Sequence, residues 1–276
     1  MPQSALAPIH PRKQSIVGVG ISMTSYREVA DVCDRWIAER RAAPAGTLER
    51  ARYICVTSVH GIVSAFLDRS LRPIFNAADI ATPDGMPVVW ALRSLGARSQ
   101  QRVYGPDLML TLCKQASERG HRIFLYGGRE EMLAALCERL KAKMPGLNIV
   151  GACSPPFRPL TPAEDAQIVR QILESGADLL FVGLSTPKQD RWMLAHRDKL
   201  PGIVMAGVGA AFDFHAGRVS QAPRWMQRAG LEWLFRLKEE PVRLWKRYLL
   251  VTPLFLPLWG LQLLGLLKYG DEPVRP

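Results

Sequence analysis

The chain has 276 residues, 48% of them hydrophobic and 22% charged, with a formal charge of +11. That balance supplies enough apolar material for one large α/β domain, alone or with a smaller appendage, and excludes a collagenous or low-complexity chain. Five cysteines, Cys33, Cys55, Cys113, Cys137 and Cys153, form no C-x-x-C pair, which argues against a disulfide framework or a zinc cluster and for a reducing cytosol.

Residues 1–15, MPQSALAPIHPRKQS, lack the apolar core of a signal peptide and read as a disordered leader. Ile16 to Ile21 (IVGVGI) predicts a strand. Tyr26 to Arg41 predicts a helix, from the spacing of Val29, Val32, Cys33, Trp36 and Ile37. Gly18 and Gly20 make only G-x-G, so a dinucleotide fingerprint is not supported, and a nicotinamide oxidoreductase loses its main motif. After a loop over Pro44 to Glu49, Arg52 to Thr57 (RYICVT) predicts a buried strand ending in Thr57, Ser58 and His60, and a helix follows from Gly61 to Asp68. Polar groups at such an end suit a helix cap or hydrogen bonds to a sugar or phosphate.

Ala77 to Ala81 (AADIA) predicts a short buried strand, and behind it stands the stretch ATPDGMPVVW. Prolines flank the Asp84-Gly85 pair, which predicts a sharp turn, and Pro87 suits the first turn of a helix running to Leu95. Asp84 itself has two readings. It suits a helix cap or a type I turn, and it also suits the crevice at the carboxyl ends of the strands, where open α/β sheets bind ligands.

Gln101 to Asp107 (QRVYGPD) is a loop carrying Arg102, followed by a helix to Arg119. His121 to Tyr126 (HRIFLY) predicts a strand with Gly127 and Gly128 behind it, a pair that admits a phosphate to backbone N–H groups or simply turns the chain. Glu131 to Lys143 is an amphipathic helix, Asn148 to Gly151 a strand, Cys153 to Pro162 a proline-rich loop, and Thr161 caps a helix to Glu174. Asp178 to Gly183 (DLLFVG) is a strand followed by LSTPKQDRW, where Lys188 and Arg191 suit phosphate charge and Gln189 a sugar or base edge. Gly202 to Val208 is the last strand. The alternation predicts an α/β fold, a Rossmann-like, doubly wound parallel sheet with flanking helices over residues 16–217. Thr57, Asp84, Gln189 and Asp213 fall on its ligand edge.

Residues 218–276 read as a basic, aromatic and apolar appendage. Between Arg218 and Leu250 eight Lys or Arg stand against three Glu, and Trp225, Trp233, Trp245 and Trp259 lie in or just after that stretch. Arg224 to Leu237 and Pro241 to Leu250 predict helices. Leu249 to Leu267 runs 19 residues without a charge, the threshold for spanning a bilayer, but Pro253, Pro257, Gly260 and Gly265 interrupt it. An interfacial or re-entrant segment is favoured over a straight spanning helix, and under either reading Arg243, Lys246 and Arg247 place its front end on the cytoplasmic side. This mixture suits an anionic membrane surface more than a nucleic-acid groove, so no nucleic-acid partner is expected.

Together TPDGMPVVW, RVYGPDL, FVGLSTPKQDRW, VGAAFDFHAGRV and APRWMQRAGLEWLFRLKEEPVRLWKRYL resemble the WecG/TagA/CpsF glycosyltransferases of bacterial cell-envelope and exopolysaccharide synthesis. The resemblance implies an inverting transfer, without a metal or other cofactor, from a UDP-sugar to a polyprenyl-diphosphate-linked sugar at the cytoplasmic face of the inner membrane. It implies that Asp84 is the general base and that Thr57, Arg102 and Gln189 belong to the active site. It further implies that Arg236, Arg243 and Lys246 hold the diphosphate. The sequence has no D-x-D motif, in keeping with a metal-free site. Where family members often have Asn two positions after the strand-end threonine, this chain has Val59 and then His60. Lys246 replaces the usual arginine with a point charge. N-acetylmannosamine and glucose both fit as the donor sugar, and a homo-oligomer remains open. The alternative from another class is a non-catalytic module that binds a nucleotide sugar or lipid diphosphate, with Asp84 serving only the turn.

Overall fold

A computed structural model describes residues 10–269 apart from Ala45, Leu48 and Glu49. The leader up to Ile9, parts of the Pro44 to Glu49 loop and the last seven residues therefore lie outside the described residues. The segment read as one strand from Ile16 to Ile21 is a hairpin: β1 (Lys13–Ile16) pairs antiparallel with β2 (Val19–Ser22), apart from the main sheet. Lys13, Gln14 and Ser15, assigned above to the leader, are thus part of a strand. The turn between the strands places Val17 at φ 50° and Gly18 at φ 81°, the pair of left-handed residues that a tight two-residue hairpin needs. A β-branched residue resists that conformation, and the compensation comes from far along the chain. The Val17 N–H donates to Gln262 Oε1 at 2.7 Å, and Gln262 Nε2 donates to the Ser15 carbonyl at 2.9 Å.

The main sheet has six strands. They are β3 (Arg52–Thr57), β4 (Ile80–Pro83), β5 (Arg122–Tyr126), β6 (Asn148–Cys153), β7 (Leu179–Val182) and β8 (Val204–Gly207). Their order is β4-β3-β8-β7-β5-β6, every pair parallel, with helices on both faces, so the fold is α/β and Rossmann-like as expected. Central strands β7 and β8 are buried along their whole length, as a sheet covered on both faces requires. Helix Pro162–Glu174 begins at the predicted cap: Thr161 Oγ1 accepts from the Glu164 N–H, and the Glu164 carboxylate accepts from the Thr161 N–H.

Strand β4 lies about three residues later than the AADIA reading. Ala77 closes the short helix Arg72–Asn76, donating its N–H to the Pro73 carbonyl. The Asp79 carboxylate is drawn to the Tyr53 N–H at 2.8 Å. Pairing therefore starts at Ile80 and runs through Pro83, which an edge strand tolerates. The result sets Asp84 directly at a strand end.

The tail departs most from expectation. The helix predicted over Arg224 to Leu237 is two, Arg224–Arg228 and Glu232–Glu239, because Gly230 adopts φ 74° and turns the chain between them. Helix Pro241–Trp245 continues through a wide π turn over Lys246–Val251 and a short tight turn into helix Phe255–Leu263. Among the described residues no helix is long and apolar enough to cross a membrane. Helix Phe255–Leu263 instead lies against helix Val59–Leu67, and Phe255, 1% exposed, joins the core cluster that holds Ile62 and Phe75. Phe255→Ala is expected to cost about 3–5 kcal/mol of stability, read as a lowered urea midpoint at unchanged slope. An unchanged midpoint would mean that the tail is not part of the folded unit.

Candidate active site

The carboxyl ends of β3, β4, β7 and β8 open into a cavity of about 450 Å3, closed on its far side by the tail. Asp84 hangs from the end of β4 and its N–H donates to the Thr57 carbonyl at 3.1 Å. Its side chain does not cap the helix that follows. Gly85 occupies the cap position, and Asp84 Oδ1 accepts from the Gly105 N–H at 3.3 Å across the cleft. Burial pushes the carboxyl above its usual range. Arg102 opposes that shift, and the Glu232 carboxylate adds to it. A carboxylate made more basic and left with 21% of its surface open is suited to accept a proton.

Arg102 lies beside it. Its Nε donates to the Asp84 carbonyl, its terminal nitrogen is 3.7 Å from Asp84 Oδ1 and 2.7 Å from Glu232 Oε2, and its guanidinium stacks 4.1 Å above the Tyr104 ring. Gln189, 3% exposed, packs so closely on β8 that a Cβ at Gly207 would lie 3.0 Å from its Nε2. Its Oε1 is buried and reaches no hydrogen-bond donor among the described residues, an unpartnered acceptor in the cavity wall. His60 also lines the wall. Burial, reinforced by Arg247, pushes its imidazole down to about 4, which leaves it neutral at physiological pH.

Thr57 and Lys246 lie elsewhere. Thr57 is fully buried beneath the cavity, its hydroxyl donating to the Cys55 carbonyl at 3.3 Å, and it touches the site only through the carbonyl that holds Asp84. Lys246 is exposed, with Nζ 5.5 Å from the centre of the Trp245 ring, and does not line this cavity. Its neighbour Arg247 points inward instead and approaches Ser58 Oγ at 3.4 Å. Burial lowers the basicity of Arg247, and Arg236 and Arg243 reinforce the effect. Arg236 packs over Phe214 and Arg243 pairs with Glu240 at 2.5 Å; both line the cavity. Arg236, Arg243 and Arg247 are thus brought together with Asp84, Arg102 and Gln189 around one cleft.

Arg247 and Glu232 are the members that sequence reasoning missed. A signal existed for the first, since Arg236, Glu240, Arg243 and Arg247 follow a 4-3-4 spacing that falls on one helical face. Lys246 satisfies nearly the same spacing, and the wide turn that starts there decides between them.

A second cavity of about 770 Å3 adjoins the first and shares Ser185, Gly209 and Arg243 with it. Gly128, Arg129, Lys188, Asp213 and the proline-rich loop at Pro155 to Leu160 line it. Gly127 adopts φ 121° against the backbone of Gly183, where a Cβ would come within 2.7 Å of the carbonyl oxygen, so this diglycine turn admits no side chain. Lys188 faces the cavity as expected. Arg191 does not: it pairs with Asp68 at 2.8 Å on the surface.

Compared with known protein families, residues 14–268 match the glycosyl transferase WecG/TagA/CpsF family. Two curated relatives each carry the name N-acetylglucosaminyldiphosphoundecaprenol N-acetyl-beta-D-mannosaminyltransferase. That of Bacillus subtilis (strain 168) is 32% identical over 186 residues, 67% of this chain and 70% of the relative. That of Bacillus spizizenii is 32% identical over 176 residues, 64% of this chain and 66% of the relative.

Proposed function

The chain belongs to the WecG/TagA/CpsF family of glycosyltransferases, and on that premise we propose that it transfers N-acetylmannosamine from a UDP-linked donor to N-acetylglucosaminyl-diphospho-undecaprenol. The observation that carries the reading is the pairing, across one cleft, of a base-like carboxylate with the arginines 236, 243 and 247. The Bacillus relatives act on the acceptor and sugar that their names state, and the charge arrangement here suits both.

In the reaction Asp84 takes the proton of the acceptor hydroxyl as its oxygen attacks the anomeric carbon. The bond from that carbon to the β-phosphate oxygen breaks, and UDP leaves with the electron pair. A single displacement of this kind inverts the anomeric configuration. Arg243, shared by both cavities, stands where a diphosphate bridging them would develop charge, and Gly128 lines the second cavity with it. Guanidinium groups then fill the role that a metal has in other sugar transferases.

The tail gives the acceptor's lipid a place to lie. Trp225, Val242, Leu249, Leu250, Leu256, Leu264 and Leu266 are exposed, with Arg228, Lys238 and Lys246 exposed among them. This surface suits peripheral attachment to an anionic membrane without a spanning helix.

The test is UDP release across a panel of UDP-sugars, with the lipid-diphosphate acceptor held in anionic vesicles. Release is expected from UDP-N-acetylmannosamine, unaffected by EDTA, with the protein sedimenting with the vesicles. Silence with every donor, once acceptor and vesicle composition have been varied, would point to a binding module instead.

A further inference from the structure

Glu232 stands in an unexpected place. It belongs to the first turn of helix Glu232–Glu239, immediately beyond the Gly230 turn, yet its carboxylate reaches across the cleft to within 2.7 Å of Arg102, beside the strand-end residue Asp84. We propose that Glu232 is a positioning residue for the transfer, holding the Arg102 guanidinium off the Asp84 carboxylate so that Asp84 keeps an oxygen free for the acceptor's hydroxyl proton. The inference rests on the reading of Asp84 as general base.

The geometry carries it. Arg102 is fixed on three sides, by the Asp84 carbonyl, the Tyr104 ring and Glu232 Oε2, and its separation from Glu232, 2.7 Å, is a full ångström shorter than from Asp84 Oδ1. A guanidinium without that competitor would close on the neighbouring carboxylate as a two-pronged pair and occupy both of its oxygens. The surrounding charges point the same way. Asp84 faces Arg102, Glu232, Arg247 and the Tyr26 and Tyr104 hydroxyls, and it accepts the Gly105 N–H. Glu232 faces Arg102, Arg236 and the Tyr104 hydroxyl. Neutralising Glu232 removes the carboxylate that opposes Asp84 and leaves Arg102 and Arg247 as its charged neighbours, which favours its ionised form and makes it a weaker base.

Glu232→Gln keeps the shape and removes the charge. The expected result is a transfer rate about tenfold lower at saturating substrates above neutral pH, as a weaker base gives. The acid limb of the pH–rate profile should move to lower pH, so that the deficit shrinks toward acid, and Glu232→Asp should recover part of the rate. A variant damaged only in its fold would lose rate equally at every pH. A second measurement needs no turnover. In protein labelled with 13C at the aspartate carboxyl carbons, the Asp84 signal, identified by its absence in Asp84→Asn, should titrate at lower pH in Glu232→Gln than in wild type. An Asp84 titration unmoved by Glu232→Gln would overturn the proposal whether or not transfer is observed. Absence of transfer by the wild-type protein would overturn the functional reading alone, leaving this titration to decide the role of Glu232.

Discussion

An Asp84→Asn protein is expected to fold normally and to transfer sugar about 10²- to 10⁴-fold more slowly than wild type, the usual contribution of a general base. Asparagine can still accept the Gly105 N–H bond, so the local turn survives and only the proton acceptor is lost. Stability should move the other way, or not at all. Burial raises the Asp84 pKa in the folded protein above its unfolded value. A group shifted in that direction favours the folded state at pH values below its unfolded pKa, and loses that contribution as pH rises through the folded pKa. At neutral pH the ionised, partly desolvated carboxylate is therefore a burden. Its removal should leave the melting temperature unchanged or raised, as is common where a site trades stability for activity. Full transfer by Asp84→Asn would reduce this residue to a turn former; lost transfer with a collapsed melting temperature would mean that its role is structural.

The second large effect separates two adjacent cations. Arg247→Ala should lower kcat/KM by about 10²-fold or more, the penalty expected when a buried charge that pairs with a ligand is removed. Lys246→Ala should stay within about threefold, the small effect typical of an exposed charge. The difference is positional: Arg247 lines the cleft beside Ser58, whereas Lys246 lies out on the Trp245 ring. Arg247→Lys tests the chemistry further, since a point charge on a flexible stem replaces a planar fork and should recover only part of the rate. A Lys246 effect larger than that of Arg247 would refute this placement.

Much of this was legible because it depends on local chemistry. The apolar runs of β7 and β8 read as strands buried on both faces, Thr161 read as a cap three residues before Glu164, and the proline-flanked Asp84-Gly85 pair read as a turn at a strand end. What escaped depends on partners remote in sequence. Val17 adopts a left-handed turn in which Gln262 holds its N–H, and no window around Val17 contains that partner. The apolar run from Leu249 reads as a bilayer segment until Phe255 is seen packed into the core beside Ile62. Glu232 counted in the sequence merely as one negative charge in a basic stretch, and its meaning comes from Arg102, 130 positions earlier. Thr57 carries a hydroxyl that suggests a ligand, yet its contribution passes through its carbonyl oxygen.

The contacts made by Arg247 and Gln262 tie the completion of the cleft and of the first hairpin to residues synthesised after the whole sheet. Chains emerge from the ribosome amino end first and fold as they appear. All six strands of the sheet have been made once Gly207 is out, but the guanidinium groups of the tail arrive 29 to 40 residues later and the pin on the first hairpin later still. A growing chain therefore passes through a stage in which Asp84 and Arg102 have been made and Arg236, Arg243 and Arg247, which close the cleft, have not.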